Sequence, residues 1–333
     1  MKLAIVILNW NGAKLLAQYL PSLVKYSPTA DIYVIDNAST DDSLKVLENQ
    51  FPSISVIKNS KNLGFAGGYN EGLKSVKADV YCLLNSDVEV SPNWIQPVME
   101  LFQKMPKVAI VQPKILDLKN PHYFEYAGAG GGFIDKLGYP FCRGRIFQTL
   151  EKDEGQYDDT TEIFWATGAC MFIKSSVFWS LEGFDPEYFA HQEEVDLCWR
   201  AKNDGHLVYY MGQSKVYHLG GSTLSNANPH KTYLNFRNSL YSITKNLPRR
   251  NALPLIFIRL LLDGVAAFRF LLQLKPRHGW SIFKAHLSFY YNFRKMYHKR
   301  EKANFILNYY PVKSIVWSYF VNQEKKFNIL VKD

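Results

Sequence analysis

The sequence predicts an α/β fold: a mostly parallel, Rossmann-like sheet flanked by helices and followed by a helical C-terminal extension. Three observations predict it. Short apolar, β-branched runs alternate with segments of helical period as far as Val111. Polar clusters close three of those runs. The balance of charge changes sign towards the C-terminus.

Leu3 to Leu8 reads as a buried strand, ended by the turn residues Asn9-Trp10-Asn11-Gly12. Residues 13–26 place Leu15, Leu16, Tyr19, Leu20 and Leu23 at helical spacing. Ile32 to Ile35 is a second strand, closed by Asp36-Asn37, and Ser43 to Phe51 a helix with Asp41 or Asp42 near its cap. Ile54 to Ile57 is a third strand, and Gly68 to Val76 a helix after a glycine-rich loop. Val80 to Leu84 is a fourth strand, closed by Asn85-Ser86-Asp87. Trp94 to Met105 (helix) and Val108 to Val111 (strand) complete the alternation. Ligands of such sheets bind beyond the carboxyl ends of the strands, which is where the polar clusters fall. Residues 120–162 predict loops or irregular hairpins over the sheet. Next come an apolar run, Phe164 to Ile173, a helix from Glu193 to Asn203, and two short strands, Leu207 to Tyr210 and Val216 to His218. From Lys231 the chain reads as mainly helical, with Pro248, Pro254, Pro276 and Pro311 as breaks.

The 333 residues are 47% hydrophobic and 21% charged, which excludes a disordered chain, and no internal repeat is visible. Residues 1–235 hold 21 basic and 26 acidic side chains; residues 236–333 hold 18 and 4. The surplus of positive charge therefore belongs to the last third, and a globally basic nucleic-acid binder is excluded. Cys82, Cys142, Cys170 and Cys198 form no CxxC pair, so a zinc ribbon or disulfide scaffold is not expected and a reducing compartment is. The apolar run at the N-terminus is too short for a signal-peptide core.

These clusters, in this order, resemble family 2 glycosyltransferases, in the branch with rhamnosyltransferase-like enzymes of cell-surface polysaccharide synthesis. The resemblance is carried by Val6-Ile7-Leu8-Asn9-Trp10-Asn11-Gly12, Asp36-Asn37-Ala38-Ser39-Thr40-Asp41, Asn62-Leu63-Gly64-Phe65-Ala66-Gly67-Gly68-Tyr69-Asn70 and Leu84-Asn85-Ser86-Asp87. It continues through Gly168-Ala169-Cys170-Met171, Gly183-Phe184-Asp185, the stretch from Glu193 to Arg200, and His218. It implies a GT-A fold, a nucleotide-diphosphate sugar donor, a divalent metal (Mg²⁺ or Mn²⁺) and inversion at the anomeric carbon. It also implies a catalytic domain over residues 1–246, leaving 247–333 as a basic, mainly helical extension.

Glycosyl transfer must neutralise a departing diphosphate, take a proton from the acceptor hydroxyl and keep water out. Asp87, just past the fourth strand, is placed to hold the metal against the diphosphate, and the resemblance adds His218 as a second ligand. The family's Asp-x-Asp begins here with Asn85, which falls to the ribose or a bound water; Ser86 beside it is expected among the nucleotide-binding residues. Asp36 is expected on the base, helped by the main chain of Leu8, Asn9 and Trp10; Asn62 and Gly64 belong to the nucleotide-side loop. Glu194 matches the family's base position, with Glu193 and Asp196 as alternatives, since Glu-Glu stands where Glu-Asp is usual. The plainer readings are strand-end turn aspartates, acidic residues at a helix N-terminus, and an Asp196–Arg200 pair at i,i+4. Trp165 and Trp199 fit either a sugar pocket or the core, and Arg237-Asn238 either a phosphate or a helix cap.

Residues 252–274 nearly match a bilayer in length, but Arg259, Asp263 and Arg269 fall within them, which favours an interfacial helix over a span. Residues 284–302 mix Phe and Tyr with Lys and Arg, a composition suited to anionic headgroups. The expected partners are the sugar donor, a glycan or lipid-linked glycan acceptor and an anionic membrane surface, with no nucleic acid; a homodimer stays open. The expected location is cytoplasmic, peripheral at the inner face of the cell membrane. Two rivals remain: a nucleotidyltransferase, which lacks its basic triphosphate loop here, and an inactive nucleotide-sugar-binding scaffold. The donor sugar is open between dTDP-rhamnose and UDP-hexose types.

Overall fold

The computed structural model describes residues 1–220, 228–300 and 305–331. The stretch 284–302, read above as suited to anionic headgroups, ends in two residues, 301 and 302, that lie outside the described residues.

In chain order the first half contains β1 (Leu3–Asn9), α1 (Ala13–Tyr26), β2 (Asp31–Asp36), α2 (Ser43–Gln50), β3 (Ser55–Lys58), α3 (Gly64–Leu73), β4 (Val80–Leu84), β5 (Val88–Val90), α4 (Gln96–Lys104) and β6 (Val108–Asp117). Short strands follow: β7 (Gly132–Ile134), β8 (Pro140–Cys142), β9 (Arg145–Ile146), β10 (Thr149–Leu150) and β11 (Thr160–Glu162). Then come β12 (Cys170–Lys174), α5 (Ser175–Ser180), a 3₁₀ turn (Pro186–Tyr188), α6 (Glu193–Asn203) and β13 (Leu207–His218). The chain closes with α7 (Pro229–Asn246), α8 (Arg249–Leu272), α9 (Pro276–His298), α10 (Ile315–Phe320) and α11 (Phe327–Leu330).

The main sheet has nine strands in the order β11-β13-β6-β12-β4-β1-β2-β3, with β5 on β13. β1 to β4 are parallel; β12 runs against both β4 and β6, and β13 runs parallel to β6. The carboxyl ends of β1, β2, β3, β4, β6 and β13 therefore share one rim. Both faces are covered. Leu16, Leu20 and Leu23 of α1, Leu47 of α2 and Val98 and Phe102 of α4 pack on one face. Tyr69 and Leu73 of α3, Phe178 of α5 and Leu197 and Trp199 of α6 pack in the core on the other.

Five local expectations need correction. α3 begins at Gly64, not Gly68, because its glycines serve close approach rather than a loop: a Cβ at Gly72 would stand 2.3 Å from Ile35 Cδ1, and one at Gly68 2.8 Å from Leu8 Cδ1. β6 runs on to Asp117, and the two short late strands are one strand, β13; the register shifts between Met211 and Lys215, opposite Pro113, a bulge that accommodates a residue without an N–H. Residues 120–162 contain an ordered four-stranded sheet, β10-β9-β8-β7. Pro254 lies inside α8 rather than ending it; Pro248 caps α8 and Pro276 opens α9.

The C-terminal helices share the main core: Phe289, Met296, Val312, Ile315 and Phe327 belong to the cluster that contains Tyr69 and Trp199. Phe327 lies 5.1 Å from Phe133 of the small sheet, ring centre to ring centre. Among the described residues no helix is long and apolar enough to cross a membrane. Arg259 and Asp263 of α8 are buried inside the protein.

Candidate active site

The rim gathers residues from distant parts of the chain. At the end of β2, Asp36 is buried; its Oδ2 accepts from the Ser39 amide at 3.1 Å, and Asn9 Nδ2 approaches its Oδ1 at 3.4 Å. Asn11, at φ 54°, accepts from the Thr40 amide at 2.7 Å, so the turns after β1 and β2 are tied together. Trp10 stands 51% exposed beside them, an uncovered indole at the mouth. Gly12 links this corner to β4: a Cβ there would stand 2.4 Å from Asn9 Oδ1 and 3.7 Å from Ser86 Oγ.

Past β4, Asp87 is held by β5, which pairs with β13 and aligns Val88 with His218. The Leu219 amide donates to the Asp87 carbonyl at 3.0 Å. Asp87 Oδ1 and His218 Nε2 then lie 3.1 Å apart, both residues buried. On the other side, His218 Nδ1 lies 3.3 Å from Glu125 Oε2, close enough for an ion pair though not aligned as a hydrogen bond. Burial opposes a charged imidazole here, but Asp87 and Glu125 outweigh it and push His218 up to about 10. Asn85 Nδ2 reaches only 3.5 Å from the same Nε2.

This cluster fits a divalent cation. Two buried carboxylates demand a positive charge; the imidazolium supplies it here, and a cation that displaced the Nε2 proton would supply it in the imidazolium's place. The 3.1 Å separation of Asp87 Oδ1 and His218 Nε2 is that of neighbouring ligands on a six-coordinate ion with bonds of about 2.1 Å. Among the described residues no group of three or more His, Cys, Asp or Glu forms a ready cage, and ions of this class commonly take one or two protein donors, with substrate phosphate filling the rest. Glu125 is in place to orient the ring from behind.

The nucleotide-side loop is organised by Asn37. Its Nδ2 donates to Asn62 Oδ1 at 3.0 Å and the Gly64 carbonyl at 3.1 Å, and its Oδ1 accepts from Asn59 and the Leu63 amide. Gly64, at φ +71°, has room only for hydrogen, because a Cβ would stand 2.6 Å from the Phe189 ring.

Phe189 opens the segment that carries the acidic pair. Phe189, His191 and Gln192 have φ of 63°, 67° and 72°, left-handed values that cost about 1–3 kcal/mol each for residues other than glycine. Asn238 of α7 holds the segment by donating to the carbonyls of Tyr188, Ala190 and His191, and Arg237 donates to those of Glu187 and Tyr188. The Arg-Asn pair is thus a clamp on this turn. Asn238→Ala is expected to cost about 1–3 kcal/mol in denaturant unfolding and to lower kcat more than donor affinity; unchanged values on both counts would contradict the clamp.

α6 starts where this turn ends. Glu193 is buried, Glu194 half-buried, and the Oε2 of each is buried without a hydrogen-bond partner among the described residues. Burial pushes Glu194 up to about 7. Burial, and then the charge of Glu194, push Glu193 well above the carboxylate range. Asp196 differs. It accepts from Arg200 at 2.9 Å, Lys245 at 2.9 Å, Asn246 at 2.8 Å and Tyr188 at 3.2 Å. Burial alone would raise it, but Lys245 and Arg200 hold it far below the usual range. The structure thereby argues against Asp196 as a base: its oxygens are committed to a buried ionic network. Trp199 and Trp165 are core residues, packed on Phe164 and bonded to the Phe133 carbonyl respectively.

Asp36 thus meets Asn9, Gly12 stands between Asn9 and Ser86, the neighbour of Asp87, and Asp87 meets His218; a second series runs from Asn37 through Gly64 to Phe189, in the segment that leads to the acidic pair. α6 leads through a short turn into β13 and runs back along it, so its N-terminal end, with Glu193 and Glu194, lies towards the same rim as His218 at the carboxyl end of β13. Sequence reasoning missed Glu125, the Asn37 hub and Arg145, which is buried and close enough to Glu125 to be influenced by its charge.

The glycosyl transferase family 2 model matches residues 4–181, more than half of the chain. An N-acetylglucosaminyl-diphospho-decaprenol L-rhamnosyltransferase of Mycobacterium tuberculosis is 24% identical over 235 residues, 65% of this chain and 75% of that protein. The low-salt glycan biosynthesis hexosyltransferase Agl10 of Haloferax volcanii is 22% identical, over 71% of this chain and 73% of its own length. Among solved structures, GalNAc-T7 with UDP, GalNAc and Mn²⁺ aligns with a TM-score of 0.60 at 16% identity, covering 89% of this chain and 58% of that one. Residues 1–349 of S. aureus TarS in complex with UDP-GlcNAc align at 0.56 and 13% identity, covering 90% and 91%. At these identities the structures speak for the fold alone. With a family match over most of the sheet and a GT-A architecture around the rim, the chain belongs to glycosyl transferase family 2 and is a glycosyltransferase.

Proposed function

We propose that this glycosyltransferase is metal-dependent and inverting, and that it moves a sugar from a nucleotide-diphosphate donor, of the dTDP-rhamnose or UDP-hexose type, to a hydroxyl of a growing lipid-linked glycan at the cytoplasmic face of the cell membrane. The observation that carries the reading is the pairing of two unlike acidic sites on one rim: Asp87 with His218 and Glu125, matched to a cation, and Glu194, poised near neutrality. The mycobacterial relative's name supports the lipid-linked acceptor and the rhamnosyl donor. The Mn²⁺ of the GalNAc-T7 structure aligned above supports the metal.

In this reading Asp36 and the main chain of Leu8, Asn9 and Trp10 receive the base, Asn62 and Gly64 shape the nucleotide-side loop, and Asn85 and Ser86 lie beside the ribose and diphosphate. Asp87 and His218 would hold the metal, which would offset charge on the departing diphosphate. Glu194 accepts the proton of the acceptor hydroxyl as its oxygen attacks the anomeric carbon. The bond from that carbon to the phosphate oxygen breaks on the opposite side, and the nucleoside diphosphate leaves. Glu193 stays protonated beside it, able to donate a hydrogen bond.

The pH dependence tests the base. A raised carboxyl pKa means that the ionised form is lost as pH falls, so kcat should drop about tenfold per unit below about pH 7. A profile flat down to about pH 5 would remove Glu194 from the role. For the donor, a panel of nucleotide sugars with manganese or with chelator, scored for binding and slow hydrolysis, distinguishes the two types. No binding of any member would sink the reading.

A further inference from the structure

Helix α8 is built inside out. Its central charges face inward: Arg259 donates to the Leu137 carbonyl and Ser239 and lies over the Tyr139 ring, while Asp263 meets His286 at 3.2 Å. Its outer face is apolar. Leu253, Phe257, Leu261, Val265, Phe268 and Leu272, spaced by four or three residues, are 41–70% exposed. On α9, Trp280, Phe283, Leu287 and Tyr290 continue the pattern at 49–58%. Both stripes lie opposite the sides packed on α7, where Arg259 bonds Ser239 and Phe289 meets Tyr241. A globular helix normally shows the reverse arrangement, and an exposed apolar surface this long marks an interaction site.

The charges around the stripes select the partner. Every exposed Arg, Lys, Asp or Glu on the two helices is basic, from Arg249 and Arg250 through Arg269, Arg277 and Lys284 to Arg294; the one acid, Asp263, is buried. A second copy docked by a two-fold axis would set these cations against one another. A nucleic acid would answer the cations and leave the leucines and valine uncovered. An apolar stripe with a wholly cationic margin matches a surface with acyl chains beneath anionic headgroups.

We propose that the outer faces of α8 and α9 form a docking surface for an anionic lipid bilayer, with the apolar stripes entering the acyl boundary and the arginines and lysines meeting the phosphates. The docked face leads towards the rim. Lys284 and Leu287 also line a cavity of about 340 Å³ with His230 and Tyr233. Lys231, next in the chain to His230, is close enough to Glu125 for their charges to interact. A lipid-borne phosphate entering there would bring its sugar towards the acidic residues; this last step rests on the transfer reading above, whereas docking does not.

Flotation of the full chain with vesicles tests the surface. The protein should float with vesicles of equimolar phosphatidylcholine and phosphatidylglycerol, and at least about tenfold less with phosphatidylcholine alone or in high salt. Phe257→Asp with Leu261→Asp should lower flotation by at least about tenfold while leaving circular dichroism and donor binding unchanged. Arg277→Gln with Arg294→Gln gives a second variant that keeps the apolar stripes and should weaken binding to the anionic vesicles only. Absence of flotation, or flotation indifferent to both variants, overturns the proposal. So does a dimer in solution that Phe257→Asp dissociates, since the face would then belong to a second copy. Loss of transfer with flotation intact would count against the reaction, not the surface.

Discussion

Glu194→Gln is expected to leave donor and metal binding intact and to lower transfer to acceptor by about 10²–10⁴-fold. The amide keeps the size of the side chain and removes only its ability to take a proton. Glu194 is the member of the pair that ionises first: burial lifts it to about 7, whereas Glu193 is more deeply buried and carries the added repulsion of its neighbour. Glu193→Gln should therefore cost much less, since a protonated carboxyl and an amide both donate. Single-turnover kinetics with a bound donor separates the two outcomes. If the Glu194 variant transfers at the normal rate and the Glu193 variant does not, the base is Glu193.

Asp87→Asn should abolish the response of donor binding to manganese, with affinity in its presence falling by at least about a hundredfold. The change also leaves His218 with only Glu125 as a carboxylate partner at ion-pair distance among the described contacts, so its pKa should fall from about 10. Calorimetry with UDP or dTDP, with and without the metal, reads the first effect. NMR titration of the imidazole reads the second without turnover. Equal affinities in the variant and the parent, with the same dependence on manganese, would remove Asp87 from the metal.

Much of the rim was legible because two of the strands that feed it, β1 and β4, are buried on both faces. The near-continuous apolar runs at Leu3–Leu8 and Val80–Leu84 leave one reading, and the polar residues that end them are where a parallel sheet presents its ligands. Glu125 was not legible. It follows β6 in a stretch without periodicity, and its partner His218 is 93 positions away, brought there only by the parallel pairing of β6 with β13. The continuity of β13 was hidden by Gly212-Gln213-Ser214, which carries turn chemistry but forms a bulge. Asp196 shows the opposite limit. Its spacing to Arg200 suggested a pair, but local sequence cannot show that Lys245 and Asn246 arrive from another helix to occupy it.

The turn before α6 has a consequence for anyone who would shorten this protein. Its fasteners come from further along the chain: Asn238 and Arg237 on α7, Lys295 of α9 on Glu187, and Lys299, just beyond α9, on Asp185. A fragment ending at residue 246 would retain every strand of the large sheet but would lose both lysine anchors. The portion that resembles a self-sufficient enzyme is, in mechanical terms, a tool whose cutting edge is set by its handle.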